Sequence, residues 1–239
     1  MSSKTYPTLS LESQLFAAGA RFVVGIDEVG RGCLAGPVAV GVAVLSAVRH
    51  GEPSAAGAWP EQLADSKLIS EKVREAIFEP VGSWVSGYAV GMASNAEIDE
   101  LGIIKCLSLA AGRAIRNLPS ELRAEVAEAL AAGPSGAHAI LDGSHNWLGD
   151  AIGPMAVTVR TKADRDCVSV AAASVLAKVT RDRVVAEIAA ADAALEPYGF
   201  AGNKGYSSAG HLAALRELGP TQWHRRTWLS KILAEDALF

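Results

Sequence analysis

Short apolar runs alternate with longer amphipathic segments along the chain. Two valine-rich runs, residues 21–29 (RFVVGIDEV) and 36–45 (GPVAVGVAVL), are separated by a glycine turn, which predicts two strands joined as a hairpin. Apolar runs within residues 83–94, 137–143 and 155–161 predict three further strands. The chain is therefore expected to begin as a meander and to continue with strands that alternate with helices.

The remaining segments have helical periodicity. Ser70 is the predicted N-cap of one helix, residues 95–118 predict a long amphipathic helix, and residues 120–133 predict a shorter one. From about residue 167 onward the chain is expected to be helical, with an interruption at residues 197–207 (PYGFAGNKGYS). This order of elements predicts an α/β fold, a mixed β-sheet flanked by helices with a helical C-terminal part.

Length and composition suit one large domain. The 239 residues are 50% hydrophobic and 20% charged, and we assign residues 21–239 to a single domain and residues 1–20 to an N-terminal tail. No apolar stretch approaches about 18 residues and the N-terminus lacks a signal peptide, so we expect a cytoplasmic monomer without a membrane partner. Cys33, Cys106 and Cys167 are widely spaced, which argues against disulfides or a structural zinc site and favours core positions.

The charge distribution allows two interpretations. A net charge of −4 counts against a nucleic-acid partner, because phosphate binding needs local positive potential. Basic residues are nevertheless concentrated between Arg160 and Arg183, and again in HRRTWLSK at residues 224–231. These clusters fit either solvated helix faces or a groove that binds nucleic acid.

The stretch GIDEVGRGCLAGPVAV, residues 25–40, places two acids at the end of an apolar run and then a G-x-G-x-x-A turn. Such a turn holds a dinucleotide pyrophosphate when it opens a helix. Here the next segment carries Pro37, Gly41 and alternating valines, which favour a strand. The dinucleotide interpretation is therefore the weaker one, and the two acids become candidates for chemistry.

Acids follow several of the predicted elements. Asp27 and Glu28 end one apolar strand, Asp142 ends another, and Asp164 and Asp166 both precede a helix rich in Ala and Ser. Each alone also fits a strand end that emerges into solvent, or a helix N-terminal acid. Together they are the hard oxygen ligands that Mg²⁺ or Mn²⁺ requires, and their crowding predicts at least one raised pKa. Adjacent residues of a regular strand face opposite sides, so either the strand already turns at Asp27 and Glu28 or one of them contributes differently. A pair of ions would reconcile their positions.

Several segments, taken in order, resemble the type 2 ribonucleases H, and the chain is similar to bacterial ribonuclease HII over residues 21–230. The matching segments are GIDEVGRGCLAGPVAVGVAVL, DSKLIS, ILDG, KADRDCVSVAAASVLAKVTRDR, YGFAGNKGYSSAGHLAAL and GPTQWHRRTW. The resemblance implies a ribonuclease H-like fold and a four-carboxylate metal site formed by Asp27, Glu28, Asp142 and Asp164.

The resemblance also implies roles in substrate binding. The backbone of Gly30, Arg31 and Gly32 would approach the nucleic acid and read the ribose 2'-OH, the group that separates RNA from DNA. Tyr206 would pack on the sugar beside the scissile junction, and Lys67, Ser174 and Lys178 would contact phosphates. Four basic residues either extend the groove or pack inside the protein: His211, His224, Arg225 and Arg226. Gly102 stands where the family usually has an asparagine, and the resemblance assigns no role to Asp166.

The implied activity is that of an endoribonuclease. It would hydrolyse the RNA strand of RNA/DNA hybrids and cleave 5' to single ribonucleotides in duplex DNA, leaving 5'-phosphate and 3'-hydroxyl ends, with two Mg²⁺ or Mn²⁺ ions. The implied role is removal of ribonucleotides and RNA primers in replication and repair. Two alternatives are a related metal nuclease acting on DNA junctions or all-RNA duplexes, and a non-catalytic nucleic-acid-binding module. The sister ribonuclease HIII type carries an extra N-terminal domain, for which about 20 residues before the first strand are too few.

Overall fold

The computed structural model describes residues 6–51, 59–64, 66–67 and 69–234, with side chains described up to residue 230. Asp65 and Leu68 of the DSKLIS segment, and the side chain of Lys231, therefore lie outside the described residues. Within these ranges no helix combines the length and the apolar character needed to cross a lipid bilayer.

A five-stranded mixed sheet forms the centre of the fold, with the strand order β3-β2-β1-β4-β5. The strands are β1 (Phe22–Val29), β2 (Val38–Ser46), β3 (Gly87–Ala93), β4 (Ala137–Asp142) and β5 (Ala156–Arg160). β1, β2 and β3 pair antiparallel, whereas β4 runs parallel to both β1 and β5. The predicted hairpin and the predicted mixed sheet are both confirmed.

Helices cover both faces of the sheet and form the C-terminal part. They are α1 (Ser10–Ala17), α2 (Ala47–His50), α3 (Glu71–Trp84), α4 (Asn95–Leu101), α5 (Ile103–Asn117), α6 (Ser120–Ala132), α7 (Ala163–Asp166), α8 (Val168–Ala191), α9 (Phe200–Asn203), α10 (Ala209–Leu218) and α11 (Arg226–Ala234). Two short 3₁₀ helices, Gly149–Ile152 and Ala193–Tyr198, complete the set. This arrangement confirms the α/β fold class with a helical C-terminal part.

The alternation of side chains along β1 assigns each face of the sheet to a different core. Phe22, Val24 and Ile26 join the apolar cluster that includes buried residues of α5 and α6. Val23 joins a cluster on the other face, beneath the start of α8. The same alternation directs Asp27 towards α8 and Glu28 towards the opposite face.

Helix α8 lies directly against the backbone of β1 and β2. A Cβ atom added at Gly25 would stand 2.2 Å from the carbonyl carbon of Ser169, and one at Gly41 would stand 2.4 Å from the carbonyl oxygen of Ala173. Real Cβ atoms do not approach other atoms this closely, so both positions require glycine. The close approach fixes the position of α8 relative to the strand that ends in Asp27.

The long helix predicted over residues 95–118 is wrong in one respect, because it is broken at Gly102. Helix α4 ends at Leu101, Gly102 has φ +79°, and α5 begins at Ile103. A positive φ is accessible to glycine without steric cost, and it ends a helix. The glycine therefore divides one amphipathic pattern into two helices.

The segment assigned to an N-terminal tail contains the packed helix α1. Its Glu12 is fully buried, and Glu12 Oε1 accepts hydrogen bonds from the Ser169 backbone N–H at 2.9 Å and the Ser169 hydroxyl at 2.8 Å. Burial raises the pKa of the Glu12 carboxyl. The carboxyl thereby satisfies an orphan N–H in the first turn of α8.

Other local predictions are confirmed. The Ser70 hydroxyl accepts a hydrogen bond from the Val73 backbone N–H at 3.3 Å and caps α3. Cys33, Cys106 and Cys167 are free thiols, and all three are buried. They occupy core positions, as their spacing indicates.

Candidate active site

The carboxyl ends of two parallel neighbouring strands bring the first acids together. β1 and β4 pair in parallel with Ile26 opposite Leu141. Asp27 and Asp142 are the next residues of the two strands, so both lie at the same edge of the sheet. We call this region, formed by Asp27, Glu28, Asp142 and Asp164, the acid edge.

Asp27 is only 3% exposed and is held on its α8 side. Its Oδ1 accepts a hydrogen bond from the Glu28 backbone N–H at 2.8 Å, and the Ser174 hydroxyl also bonds to the carboxyl. Burial raises the pKa of Asp27 well above its ordinary value, and the charges of Glu28, Asp142 and Asp164 raise it further. The expectation that crowded acids produce a raised pKa is confirmed at this residue.

Glu28 points away from Asp27, because β1 stays a regular strand through both residues. Glu28 pairs with Val40 and Asp27 pairs with Gly41 across the hairpin. Glu28 Oε1 forms an ion pair with Arg31 Nη1 at 3.2 Å, whereas Glu28 Oε2 is buried without a hydrogen-bond partner. A buried carboxylate oxygen without a partner is costly unless a cation or a donor reaches it.

Asp142 connects the sheet to the segment that carries Asp164. Asp142 Oδ1 accepts a hydrogen bond from the Ala163 backbone N–H at 2.7 Å, at the start of α7. Asp164 follows immediately and is 5% exposed. Asp166 lies apart in a surface ion pair with Arg160 at 2.5 Å, which accounts for its presence.

The acid edge is a region of repulsion and not a preformed ligand shell. Across the part of the chain that the structure describes, no three His, Cys, Asp or Glu side chains are arranged to hold one ion. These side chains do not converge, because Glu28 leaves β1 on the face opposite to Asp27 and the Asp142 carboxylate bonds to the backbone of α7. Bringing these oxygens to one point requires side-chain rotation.

A cleft of about 200 Å³ opens beside Asp27 and Glu28. It is lined by Asp27, Glu28, Val29, Gly30, Arg31, Gly32, Ser66, Lys67, Lys178 and Tyr206. Eight of the eleven residues that the sequence analysis singles out therefore border one cavity. The other three, Asp142, Asp164 and Ser174, are not among its lining residues.

Gly30 and Gly32, which are predicted to approach the nucleic acid, are glycine for different structural reasons. Gly30 has φ +80°, and a Cβ there would stand 2.1 Å from Nε of Arg181. A Cβ at Gly32 would meet no protein atom within 4 Å. The packing of the protein thus requires Gly30, whereas Gly32 faces open space where another molecule can approach its backbone.

Tyr206 lines the same cleft as the glycine turn, which we define as residues 30–37. Its ring centroid lies 5.5 Å from Lys178 Nζ and 5.8 Å from Arg181 Cζ. Burial of its hydroxyl beside Cys33 raises the pKa of Tyr206 to about 12, so the phenol is neutral at ordinary pH. Tyr206 as a residue is 37% exposed, so part of its surface is available for contact.

The predicted phosphate contacts differ in their accessibility. Lys67 is exposed at the cleft. Lys178 also lines the cleft, and its Nζ forms an ion pair with Asp182 at 2.7 Å. Ser174 is buried, with its hydroxyl 2.9 Å from Ser66 Oγ and bonded to Asp27, so its phosphate contact stays a prediction.

Two buried guanidinium groups support the glycine turn from inside the protein. Arg225 donates to the carbonyl oxygens of Gly30 at 2.7 Å, Arg31 at 2.8 Å and Gly36 at 3.2 Å. Arg181 donates to Pro37 at 2.8 Å and reaches the carbonyl of Ala35 at 3.4 Å. For Arg225 the packing interpretation is therefore the one that the structure supports.

A pair of buried histidines supports the Tyr206 backbone. The Thr221 N–H donates to His224 Nδ1 at 2.9 Å, so the proton of His224 is on Nε2 and is donated to His211 Nε2 at 2.9 Å. His211 Nδ1–H then donates to the carbonyl of Tyr206 at 2.8 Å. Both histidines are packing residues, whereas Arg226 is exposed.

Sequence reasoning missed Arg181 and Ser66 as members of the site. In the sequence, Arg181 is only one positive charge in a basic cluster, and nothing about the residue type of Ser66 indicates a functional role. A signal for Arg181 exists in retrospect, because Ser174, Lys178 and Arg181 recur at helical spacing on one face of α8. That face points to the cleft.

Comparison with known proteins agrees with this geometry. The sequence profile described as "Ribonuclease HII" matches residues 24–231. A ribonuclease HII from Streptomyces avermitilis is 44% identical over 223 residues, covering 93% of this chain and 83% of the relative. The ribonuclease H2 of Pyrococcus horikoshii OT3 has a similar fold, with a TM-score of 0.63 at 23% identity over 91% of this chain and all of its own.

A second solved structure shares the fold. It is Bst-RNase HIII in complex with Mn²⁺, with a TM-score of 0.64 at 21% identity, covering 94% of this chain and 72% of that protein. The profile match and the relatives together cover nearly the whole described chain. The chain belongs to the ribonuclease HII family and is a nuclease with ribonuclease H activity.

Proposed function

We propose that this nuclease hydrolyses the RNA strand of RNA/DNA hybrids and cuts duplex DNA on the 5' side of single embedded ribonucleotides, leaving 5'-phosphate and 3'-hydroxyl ends. The observation that carries the proposal is the common cleft, which is lined by Asp27 and Glu28 and also by Gly32 and Tyr206. Groups suited to hydrolysis and groups suited to reading a sugar thus border one cavity. Removal of ribonucleotides and RNA primers is the corresponding cellular role.

The chemistry of the acid edge fits divalent cations. Four carboxylates supply hard oxygen donors, their mutual repulsion contributes to the raised pKa of Asp27, and Glu28 Oε2 has no partner. Mg²⁺ or Mn²⁺ is the proposed cofactor, as a pair of ions when substrate is bound, and the family neighbour crystallised with Mn²⁺ supports this class of metal. When bound, such ions lower the pKa of the attacking water and stabilise the leaving oxygen.

The chain's own residues orient the ligands and the substrate. Ser174 and the Glu28 backbone N–H hold Asp27, and the Ala163 N–H holds Asp142. Arg31, now paired with Glu28 at 3.2 Å, lies at the cleft and becomes available to a phosphate when a cation takes its place. Lys67 and Lys178 add positive charge to the same cleft and offset the repulsion between the acids and a phosphodiester.

Substrate selection is assigned to the glycine turn and Tyr206. The backbone of Gly32, which has no protein atom within 4 Å of a Cβ position, can approach a 2'-OH closely. The exposed edge of the Tyr206 ring offers an apolar surface on which a neighbouring deoxyribose packs. A sugar without a 2'-OH fits that surface better.

The test uses a duplex DNA with one ribonucleotide and Mg²⁺ or Mn²⁺. Wild-type protein should cut once, 5' to the ribonucleotide, and Asp27→Asn and Asp142→Asn should each lower kcat by at least about a hundredfold, since each removes charge from a metal ligand. Asp150→Asn, an exposed acid in a 3₁₀ helix, is the matched control and should keep wild-type activity.

The outcomes separate the alternatives. Cleavage of an all-DNA junction or an all-RNA duplex at the same rate would identify a nuclease that ignores the 2'-OH. Binding without turnover at any metal concentration would identify a non-catalytic binding module. Full activity of both acid variants would contradict the assignment of the acid edge.

A further inference from the structure

We infer that Arg181 is a positioning residue that sets the distance between the glycine turn and Tyr206, and through it the preference for single ribonucleotides in DNA. The inference rests on the proposed function. Arg181 is fully buried in α8, so it cannot contact a nucleic acid itself. It acts through the two segments that its guanidinium joins.

One side of the guanidinium holds the glycine turn. Arg181 Nε donates to the carbonyl of Pro37 at 2.8 Å, and Nη2 reaches the carbonyl of Ala35 at 3.4 Å. The side chain also lies directly under Gly30, where a Cβ would stand 2.1 Å from Nε. The backbone conformation of the glycine turn therefore depends on the position of the Arg181 side chain.

The other side holds the segment that ends in Tyr206. Arg181 Nη1 donates to the carbonyl of Lys204 at 3.0 Å, and its Cζ lies 5.8 Å from the Tyr206 ring centroid. The two segments also touch directly, through a hydrogen bond from the Leu34 N–H to the carbonyl of Gly205 at 2.9 Å. One planar group thus bonds to two segments about 170 residues apart in the sequence.

The guanidinium suits this task better than other cations. Its five N–H donors lie in a rigid plane, so three carbonyls on two segments are held at fixed angles. Asp182 Oδ1, at 3.9 Å from Nη1, is the acidic group that faces it among the described ion pairs. A lysine at this position would keep the charge but has no planar fork.

The two proposed substrates depend on this spacing to different degrees. In a long RNA/DNA hybrid every residue of the RNA strand carries a 2'-OH, so a displaced turn still finds one in a neighbouring register. A duplex with one ribonucleotide offers a single register, in which the 2'-OH and the adjacent deoxyribose must meet the turn and Tyr206 together. Loosening the spacing should therefore impair the single-ribonucleotide substrate more.

The experiment compares Arg181→Met and Arg181→Lys with the control Arg183→Met. Arg183 lies two residues along on the exposed side of α8, where it pairs with Glu75. Each protein is assayed on a long hybrid and on a single-ribonucleotide duplex at a temperature below its measured Tm, and Mn²⁺ binding is measured by calorimetry. The Lys variant keeps the buried charge and stem, so a folded protein remains for assay if Met disrupts folding.

Both Arg181 variants should lose about tenfold or more in the ratio of kcat/KM for the single ribonucleotide to that for the hybrid, a change of ~1.4 kcal/mol. Mn²⁺ affinity should stay within about twofold, because the described hydrogen bonds and ion pairs of Arg181 involve none of the four acid-edge residues. Arg183→Met should keep the wild-type ratio. Equal losses of activity on both substrates, or a wild-type ratio in Arg181→Lys, would overturn the inference. If the wild-type protein itself did not cut the single-ribonucleotide duplex, the proposed function would be overturned instead.

Discussion

The two walls of the cleft are built in opposite ways. The acid edge has few internal supports: Asp27 has a raised pKa, and Glu28 keeps a buried oxygen without a partner. The wall formed by the glycine turn and Tyr206 has its carbonyls satisfied by Arg225, Arg181 and His211. One wall is under electrostatic strain, and the other is held by hydrogen bonds from three buried side chains.

This difference indicates how the two tasks are divided. Charges that repel one another in the protein alone are stabilised when cations bind, so the strain in the acid edge favours metal binding. Sugar discrimination depends on the position of backbone atoms, and a backbone held by many hydrogen bonds does not adjust to a wrong sugar. Under the proposed function, the wall assigned to hydrolysis is the unsatisfied one, and the wall assigned to sugar reading, called the reading wall below, is the rigid one.

Removal of Arg225 should have the largest effect on stability. Arg225→Met leaves the carbonyls of Gly30, Arg31 and Gly36 without their buried donor, and we expect a loss of about 3 to 5 kcal/mol in the free energy of unfolding. The pKa of Arg225 is lowered to about 10 by burial, so the donor is still charged at neutral pH. Urea denaturation measures the change.

The neighbouring Arg226 provides the control for that measurement. Its side chain is exposed, and Arg226→Met should change the unfolding free energy by less than about 0.5 kcal/mol. If the two variants were equally stable, the reading wall would not depend on its buried donors.

The histidine pair should make stability depend on pH. Burial lowers the pKa of His224 from 6.5 to about 4, with a further contribution from His211. The unfolded chain binds this proton more readily, so the stabilisation is complete above pH 6.5 and is lost as pH falls towards about 4. The difference in pKa corresponds to about 3 kcal/mol.

Urea denaturation across that pH range tests the histidine pair. His224→Phe should show a shallower loss of stability on acidification, because the buried titrating group is gone. The exposed His145→Phe should follow wild type. Parallel curves for wild type and His224→Phe would contradict the prediction.

The smallest expected effect on stability, and the one of opposite sign, is at the acid edge. Asp27→Asn removes a carboxyl whose pKa is raised by burial and by three neighbouring acids, so it should stabilise the metal-free protein by about 1 kcal/mol at neutral pH. The gain should vanish at low pH, where Asp27 is protonated and equally neutral. Added Mn²⁺ should raise the Tm of wild type and leave that of the variant nearly unchanged.

A destabilised Asp27→Asn protein at neutral pH, without metal, would show that the acid edge is not strained. Thermal unfolding in the presence and absence of a chelator is sufficient to decide this.

Local sequence patterns were sufficient for the strands and for the place of the acids. Asp27 and Asp142 each end an apolar run, and strands of one sheet that end in this way can bring their acids to one edge. The parallel pairing of β1 and β4, which does so here, is seen in the structure. The break at Gly102 was not predictable from periodicity, because the apolar face continues on both sides of it. Only the backbone conformation reveals that this glycine separates two helices.

Contacts between distant segments account for what sequence reasoning could not reach. Nothing near Gly30 in the sequence indicates that Arg181 lies beneath it, and Glu12 gives no local sign that it bonds to Ser169. Glycine at position 30 was expected to clear space for a sugar, whereas the structure shows that it clears space for a side chain of the same protein. A glycine in the sequence shows that a side chain is absent, but not whether a bound sugar or a side chain of the same protein needs that space.

The seating of α8 on Gly25 and Gly41 has a consequence for how mutations spread through the site. Ser174, Lys178 and Arg181 occupy one face of that helix, and together they reach the acid edge, the cleft and the glycine turn. An added methyl group at either glycine would push the helix along or away from the sheet, displacing all three side chains at once. Under the proposed function, a shift of α8 is therefore expected to change catalytic rate and substrate choice together.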